Sequence, residues 1–173
     1  MSDSPDQHLA GKYMSFRLAT ELYAIPVLAI QEIVRMLPVT RLPRNPCFVR
    51  GVISLRGKVM PAIDFGDSFG LGPTPTTEQT VILIVHAGDS GSLGLIVHEV
   101  LEVLDITPSM IRPTPTFAMA IGNDFVRSMA AQGARLLFLV DLERCLAHIA
   151  GLEEPRSDTH NPLLTSRENQ ERT

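Results

Sequence analysis

The sequence predicts an all-β protein built as two small antiparallel barrels. Three observations carry this. Apolar and polar residues alternate with a period of two over most of the chain. Paired apolar runs close around short glycine-containing turns. A block of residues also recurs at a fixed offset. Thirteen prolines and twelve glycines in 173 residues leave little room for long helices.

Residues 1–11 are polar and without periodicity, so they read as a loose tail. Tyr13, Ser15 and Arg17 alternate with Met14, Phe16 and Leu18, and Thr20-Glu21 supplies a turn into Leu22-Tyr23-Ala24-Ile25. The segment Val27 to Val34 fits neither period and reads as a helical turn running into a strand. Asn45-Pro46-Cys47-Phe48-Val49 predicts a short helix, with an Asn start signal and proline just inside it. Val52 to Leu55 and Val59 to Ile63 flank Arg56-Gly57-Lys58 as a hairpin. Thr80 to His86 and Leu93 to Val97 do the same around Gly88-Asp89-Ser90-Gly91. Leu136 to Val140 is the last predicted strand, and Leu142 to Ile149 a closing helix. From Gly151 on, the chain is polar and reads as disordered, with Leu163-Leu164 as the one local anchor.

The repeat organises these elements. Phe48-Val49-Arg50 recurs 77 positions later as Phe125-Val126-Arg127, and Ile63-Asp64-Phe65 recurs without a gap as Val140-Asp141-Leu142. Ile30-Gln31-Glu32-Ile33 resembles Val97-His98-Glu99-Val100 at an offset of 67. The expected organisation is a folded body over 12–150, with one subdomain at about 12–72 and the other at about 79–150. The Pro/Gly-rich stretch 70–76 then reads as the connector between them. Residues 151–173 form the tail.

Charge is sorted along the chain. Six basic residues and no acidic one fall between Ile33 and Ile63, whereas seven acidic and no basic ones fall between Val59 and Ile111. Such fields set encounter and register between proteins more than raw affinity. The 15 Lys and Arg against 19 Asp and Glu give a net charge of −4, which argues against general nucleic-acid binding. The basic stretch 33–63 is the sole support for a β-barrel that binds nucleic acid, and the chain lacks the aromatic platform that single strands stack on.

Other classes fall away on specific grounds. The apolar run Val81 to Val85 is far shorter than the ~20 residues of a membrane span. The first residues have neither the basic nor the apolar region of a secretory signal, which predicts a cytoplasmic protein. Cys47 and Cys145 stand far apart and read as reduced thiols. His8, His86, His98, His148 and His160 are scattered, so no metal site is expected. No nucleophile elbow, dinucleotide loop or phosphate loop occurs. Asp64 and Asp141 occupy equivalent repeat positions, as the acids of a paired-carboxylate site do, but Asp64 ends an apolar strand and precedes Phe65, where an aspartate caps the next helical turn. No catalytic residue and no cofactor is expected. The turn Ser54 to Lys58 places an arginine at a hairpin tip, a rigid planar donor for a protein partner, and Glu32 is free either to pair with it or to face solvent.

Tyr13 to Leu18, Ile30 to Ile33, Phe48 to Gly57, Pro61 to Phe65 and Ile111 to Phe117 together resemble, in order, the chemotaxis coupling proteins of the CheW family. The likeness covers about 12–150. It implies two SH3-like five-stranded barrels packed around a shared core, and an adaptor without catalytic activity. It also implies a monomer that binds the regulatory domain of the histidine kinase CheA and the cytoplasmic tips of chemoreceptors, recruited to membrane-associated arrays. A pilus or surface-motility pathway is the alternative setting. By position, the resemblance gives Ile30 and Gly51 to the kinase contact. Glu32, Arg56 and Val103 go to receptor coupling, and Arg112 and Phe117 to the interface of kinase–coupler rings. Ser54 stands where the family usually has Asn, and Thr116 where it often has an acidic residue.

Overall fold

A computed structural model of the chain describes residues 8–44, 48–113 and 125–153. The strands are β1 (Gly11–Leu18), β2 (Glu21–Pro26), β3 (Ile30–Arg35), β4 (Val49–Leu55), β5 (Lys58–Asp64), β6 (Val81–His86), β7 (Ser92–Val97), β8 (Glu99–Ile106), β9 (Ile111–Arg112), β10 (Val126–Gln132) and β11 (Arg135–Val140). Helix α1 (Phe65–Ser68) follows β5, and α2 (Leu142–Glu153) follows β11. Val27–Ala29 forms a single 3₁₀ turn into β3, as the mixed period there predicts.

Two SH3-like barrels result. In the first the strand order is β3-β6-β7-β5-β4, and in the second it is β8-β1-β2-β11-β10, with the two-residue β9 added beside β10. This corrects the division at the 70–76 connector. The N-terminal hairpin β1–β2 belongs to the second barrel, where β2 runs parallel to β11, with Tyr23 opposite Phe138. The connector stays within the first barrel, leading from α1 to β6. Its Thr74 donates both its backbone N–H (2.7 Å) and its hydroxyl (2.6 Å) to Asp64, so it is tied to that barrel rather than spanning two. The loose tail is also shorter than expected, because Leu9 is buried and its carbonyl accepts from the Tyr13 hydroxyl at 2.6 Å.

The 77-residue repeat is geometric as well as textual. Val49 faces Ile63 and Gly51 faces Ala62 across a bulge at Arg50; Val126 faces Val140 and Ser128 faces Leu139 across a bulge at Arg127. Each bulged arginine reaches the aspartate at the end of the partner strand, Arg50 to Asp64, the last residue of β5, at 2.8 Å and Arg127 to Asp141, just after β11, at 3.7 Å. The offset of 67 for Ile30 to Ile33 does not hold. Ile33 pairs with Leu83 in β6, and its counterpart by register is Val103, paired with Met14 in β1, which puts the true offset at 70. β8 and β10 go beyond the strands that periodicity predicts, since neither alternates cleanly between buried and exposed. Asn45–Cys47 lie outside the described residues, and Val49 already begins β4, so the helix expected at 45–49 does not extend to its last residue.

Alternation along the strands fills three cores. In β6, Ile82 and Ile84 point into the first barrel with Ile53, Met60 and Ile96. Leu83 and Val85 point the other way, into a core shared with Phe16, Leu18, Tyr23 and Ile25 of the second barrel. The second barrel holds its own core of Leu104, Ile106, Ile111, Leu137 and Leu139. Strands buried on both faces read as continuous apolar runs, which is why Val81 to Val85 shows no polar position. The shared core is aromatic at its centre. Tyr23 packs on Phe16, Phe69 and Phe138 with ring centroids 5.1 to 6.2 Å apart, and Cys145 and Ile149 of α2 close it from one side. Such pairs add about 0.5–1.5 kcal/mol each beyond area burial.

Candidate protein-docking surfaces

The hairpin between β4 and β5 turns on two residues, Arg56 at φ 51° and Gly57 at φ 80°. Both central residues with positive φ define a type I′ turn, whose twist matches the flanking strands. Glycine adopts this freely, whereas arginine does so at a cost of conformational strain. Arg56 gains a fixed orientation there. Its guanidinium donates two bonds to Glu32, Nη1 to Oε2 at 2.7 Å and Nη2 to Oε1 at 2.5 Å. The fork geometry is bidentate, the strongest form of this pairing. Hydrogen bonding to Glu32, reinforced by its charge, raises the Arg56 pKa further above its already high ordinary value. The Arg56 side chain is nonetheless 73% exposed, so its outer face is open to a partner.

Glu32 reaches Arg56 because β3 is bulged. Ile30 pairs with Val85 and Glu32 with Ile84, leaving Gln31 as the extra residue. A bulge re-aims a side chain and blunts an edge strand. β3 and β4 are the two edges of the first sheet, and the Glu32–Arg56 clasp joins β3 to the hairpin that continues β4. Ile30, half-buried at the start of β3, packs against the shared core.

Gly51 is buried. Its φ is +148°, and a Cβ there would sit 2.0 Å from the Thr40 carbonyl oxygen. Thr40 and Val52 exchange two backbone bonds of 2.9 Å at this point. Gly51 therefore seats the Thr40–Arg41 segment, one wall of a groove of about 520 Å³ lined by Met36, Leu37, Val39, Arg41 and Arg50. Two of the six basic residues of 33–63 are already paired, Arg50 with Asp64 and Arg56 with Glu32.

On the second barrel, Val103 lies on the edge strand β8 and is 50% exposed. Arg112 is exposed on β9, where its Nη1 donates to the carbonyls of Ser109 (2.6 Å) and Ile111 (3.0 Å). Phe117 lies outside the described residues. The predicted residues thus do not gather into one patch. Glu32 and Arg56 are in contact, Gly51 supports a neighbouring groove, and Val103 and Arg112 belong to the other barrel.

Sequence reasoning passed over two polar networks. Asp64 is almost wholly buried and accepts from Arg50, from Thr74 twice and from the Asp67 N–H (3.1 Å), the last of these capping α1. His98 receives the Ala19 N–H on Nδ1 at 3.2 Å, and its own N–H bonds the Arg17 carbonyl, joining the end of β7 to the β1–β2 turn. Burial first, then the charge of Arg17, lowers the His98 pKa below 6.5. Among the described residues no three His, Cys, Asp or Glu side chains converge as a metal site, and no helix is long and apolar enough to cross a membrane.

Comparison with known proteins agrees with this architecture. The family model described as a CheW-like domain matches residues 12–150. The chemotaxis protein CheW of Klebsiella aerogenes is 35% identical over 136 residues, covering 79% of this chain and 81% of that one. The Helicobacter pylori protein of the same name is 31% identical over 145 residues, covering 84% and 87%. The crystal structure of the scaffolding protein TtCheW from Thermoanaerobacter tengcongensis superposes with a TM-score of 0.68 at 33% identity, covering 76% of this chain and 88% of that one. With the matched region spanning both barrels, the chain belongs to the CheW-like domain family, the scaffolding adaptors of chemotaxis signalling.

Proposed function

We propose that this protein couples chemoreceptor tips to the regulatory domain of the histidine kinase CheA, as a non-catalytic adaptor in the cytoplasm recruited to membrane-associated arrays. The observation that carries the reading is the Glu32–Arg56 clasp, a preorganised and exposed ion pair at a hairpin tip. Binding through held side chains loses little entropy. In this reading Glu32, Arg56 and Val103 serve receptor coupling. Ile30 and Gly51 serve the kinase contact, Gly51 by seating the Thr40–Arg41 wall of the groove. Arg112 and Phe117 serve the ring interface, and the protein alone is a monomer. Coupling then works by population shift: the adaptor and receptor favour one kinase arrangement over another, since equal affinity for both would change nothing.

Calorimetric titration with the regulatory domain of the organism's own kinase tests the reading. Micromolar or tighter binding is expected, together with loss of receptor-dependent kinase control in Arg56→Ala. Absence of binding to any kinase of that cell would leave the fold without this use.

A further inference from the structure

The second barrel has a clasp of its own, built on a glutamate that the duplication supplies. The register offset of 70 makes Glu102 the counterpart of Glu32 and Val103 the counterpart of Ile33. Glu102 is indeed paired, with Arg135 Nη1 at 3.3 Å. Arg135 follows the turn at Gly133-Ala134 in the hairpin between β10 and β11, at the register position of Lys58, whereas the counterpart of Arg56 is Gly133; the second clasp thus takes its arginine from two positions further along the hairpin. In both barrels the glutamate follows a bulge on an edge strand. In β8, Leu101 and Glu102 lie opposite the single residue Ser15, between the pairs Phe16–Val100 and Met14–Val103.

The second barrel braces this bulge in a way the first does not. Ser15 is fully buried, and its hydroxyl bonds both backbone groups of Glu102, donating to the carbonyl at 2.8 Å and accepting the N–H at 3.2 Å. The equivalent residue in the first barrel, Ile84, has no side-chain polar group. Next to the braced residue, Val103 is exposed, as is Ile33 beside Glu32. Exposed ion pairs add little to stability, so the Glu102–Arg135 pair is better placed to orient than to hold the fold together.

We propose that Glu102 and Arg135, braced by Ser15, are positioning residues for the receptor-coupling surface: they fix the bulge of β8 and so the presentation of Val103. The inference rests on the receptor-coupling role given to Val103 above. It makes that surface bipartite, with an Arg–Glu clasp and an exposed aliphatic residue on each barrel.

The test uses the full chain reconstituted with the organism's kinase and receptor-containing membranes. Arg135→Ala and Glu102→Gln are compared with Arg56→Ala and with the reversed pair Glu102→Arg/Arg135→Glu. Receptor-dependent kinase activation is expected to fall by about fivefold in Arg135→Ala, the low end of typical coupling effects, with the melting midpoint unchanged. The reversed pair is expected to recover most of it, which direct contact of either side chain with the receptor would not predict; a fall in the melting midpoint parallel to the loss of activation would instead mark a purely structural role and overturn the proposal. Wild-type activation in Arg135→Ala and Glu102→Gln alongside a loss in Arg56→Ala would overturn the second clasp and leave the coupling reading standing. Wild-type activation in all three would overturn both.

Discussion

Asp64 and Asp141 occupy the same repeat position in different surroundings, and the difference is measurable. The Asp64 side chain is 2% exposed, that of Asp141 18%. Truncating Asp64 to alanine strands the Arg50 guanidinium and a buried Thr74 N–H. Breaking a buried ion pair on one side costs about 3–5 kcal/mol, and Arg50, still partly solvated and bonded to the Thr74 carbonyl, belongs at the low end. The unsatisfied N–H adds about 1 kcal/mol and the lost cap to the Asp67 N–H about 1 kcal/mol more, for a total of about 5 kcal/mol. Asp141→Ala removes a cap to the Arg144 N–H (3.1 Å), worth about 1 kcal/mol. It also removes a long, half-exposed pair with Arg127 that adds at most a few tenths. With a urea m-value of about 2 kcal/mol/M, the midpoint should fall by about 2.5 M for Asp64→Ala and about 0.5 M for Asp141→Ala, at equal m. Equal midpoint shifts would refute the argument that burial, not repeat position, sets the worth of these carboxylates.

Three further outcomes follow from the same structure. Gly51→Ala should lower the melting midpoint and weaken kinase-domain binding together, because its Cβ would force Thr40 and Arg41 off the sheet; parallel melting and titration check this. His98 has a folded pKa below its unfolded value of 6.5, so the unfolded chain takes up the proton first. Its contribution is complete above about pH 6.5 and is lost as pH falls toward the lowered folded value. His98→Asn, which keeps an acceptor for the Ala19 N–H, should flatten the pH dependence of urea stability between pH 7.5 and 5.5. The Cys145 thiol is buried in the shared core, and burial, aided by Asp141, pushes its pKa up to about 12. In a Cys47→Ser background a disulfide reagent at pH 8 should therefore find no thiol in the native protein and one in urea.

What the sequence made legible was local. Hairpins announced by Gly57 or Gly91 fall where the turn chemistry puts them, and Asp64 caps α1 as a strand-ending aspartate should. The 77-residue repeat was readable because the bulged arginine and its aspartate are identical in both halves. Pairing across distance was not. Glu99 and Glu102 both offer a match for Glu32, and only the bulge opposite Ser15 decides for Glu102. The barrel to which β1 and β2 belong depends on the parallel pairing of β2 with β11, for which residues 22–26 carry no local signal. The Glu32–Arg56 clasp lay between these cases. Its arginine is visible in the turn, whereas Glu32 is free either to pair with it or to face solvent until the fold brings the two together.

The interleaved topology also orders the protein's assembly in time. During synthesis the five strands between Ile30 and Val97 emerge as a set that can close at once, since all their pairings are internal. The β1–β2 hairpin leaves the ribosome before them and then waits, because the strands that complete its sheet on either side, β8 and β11, are among the last to be made. Contacts so distant in sequence form late, after their loop-closure entropy is met. Until then Phe16, Tyr23 and Ile25 have only the finished first barrel to cover them. The face that the first barrel turns to the shared core, with Leu83, Val85, Leu95, Val97 and Phe65, is thus the surface on which the chain's beginning can rest while its end is still being translated.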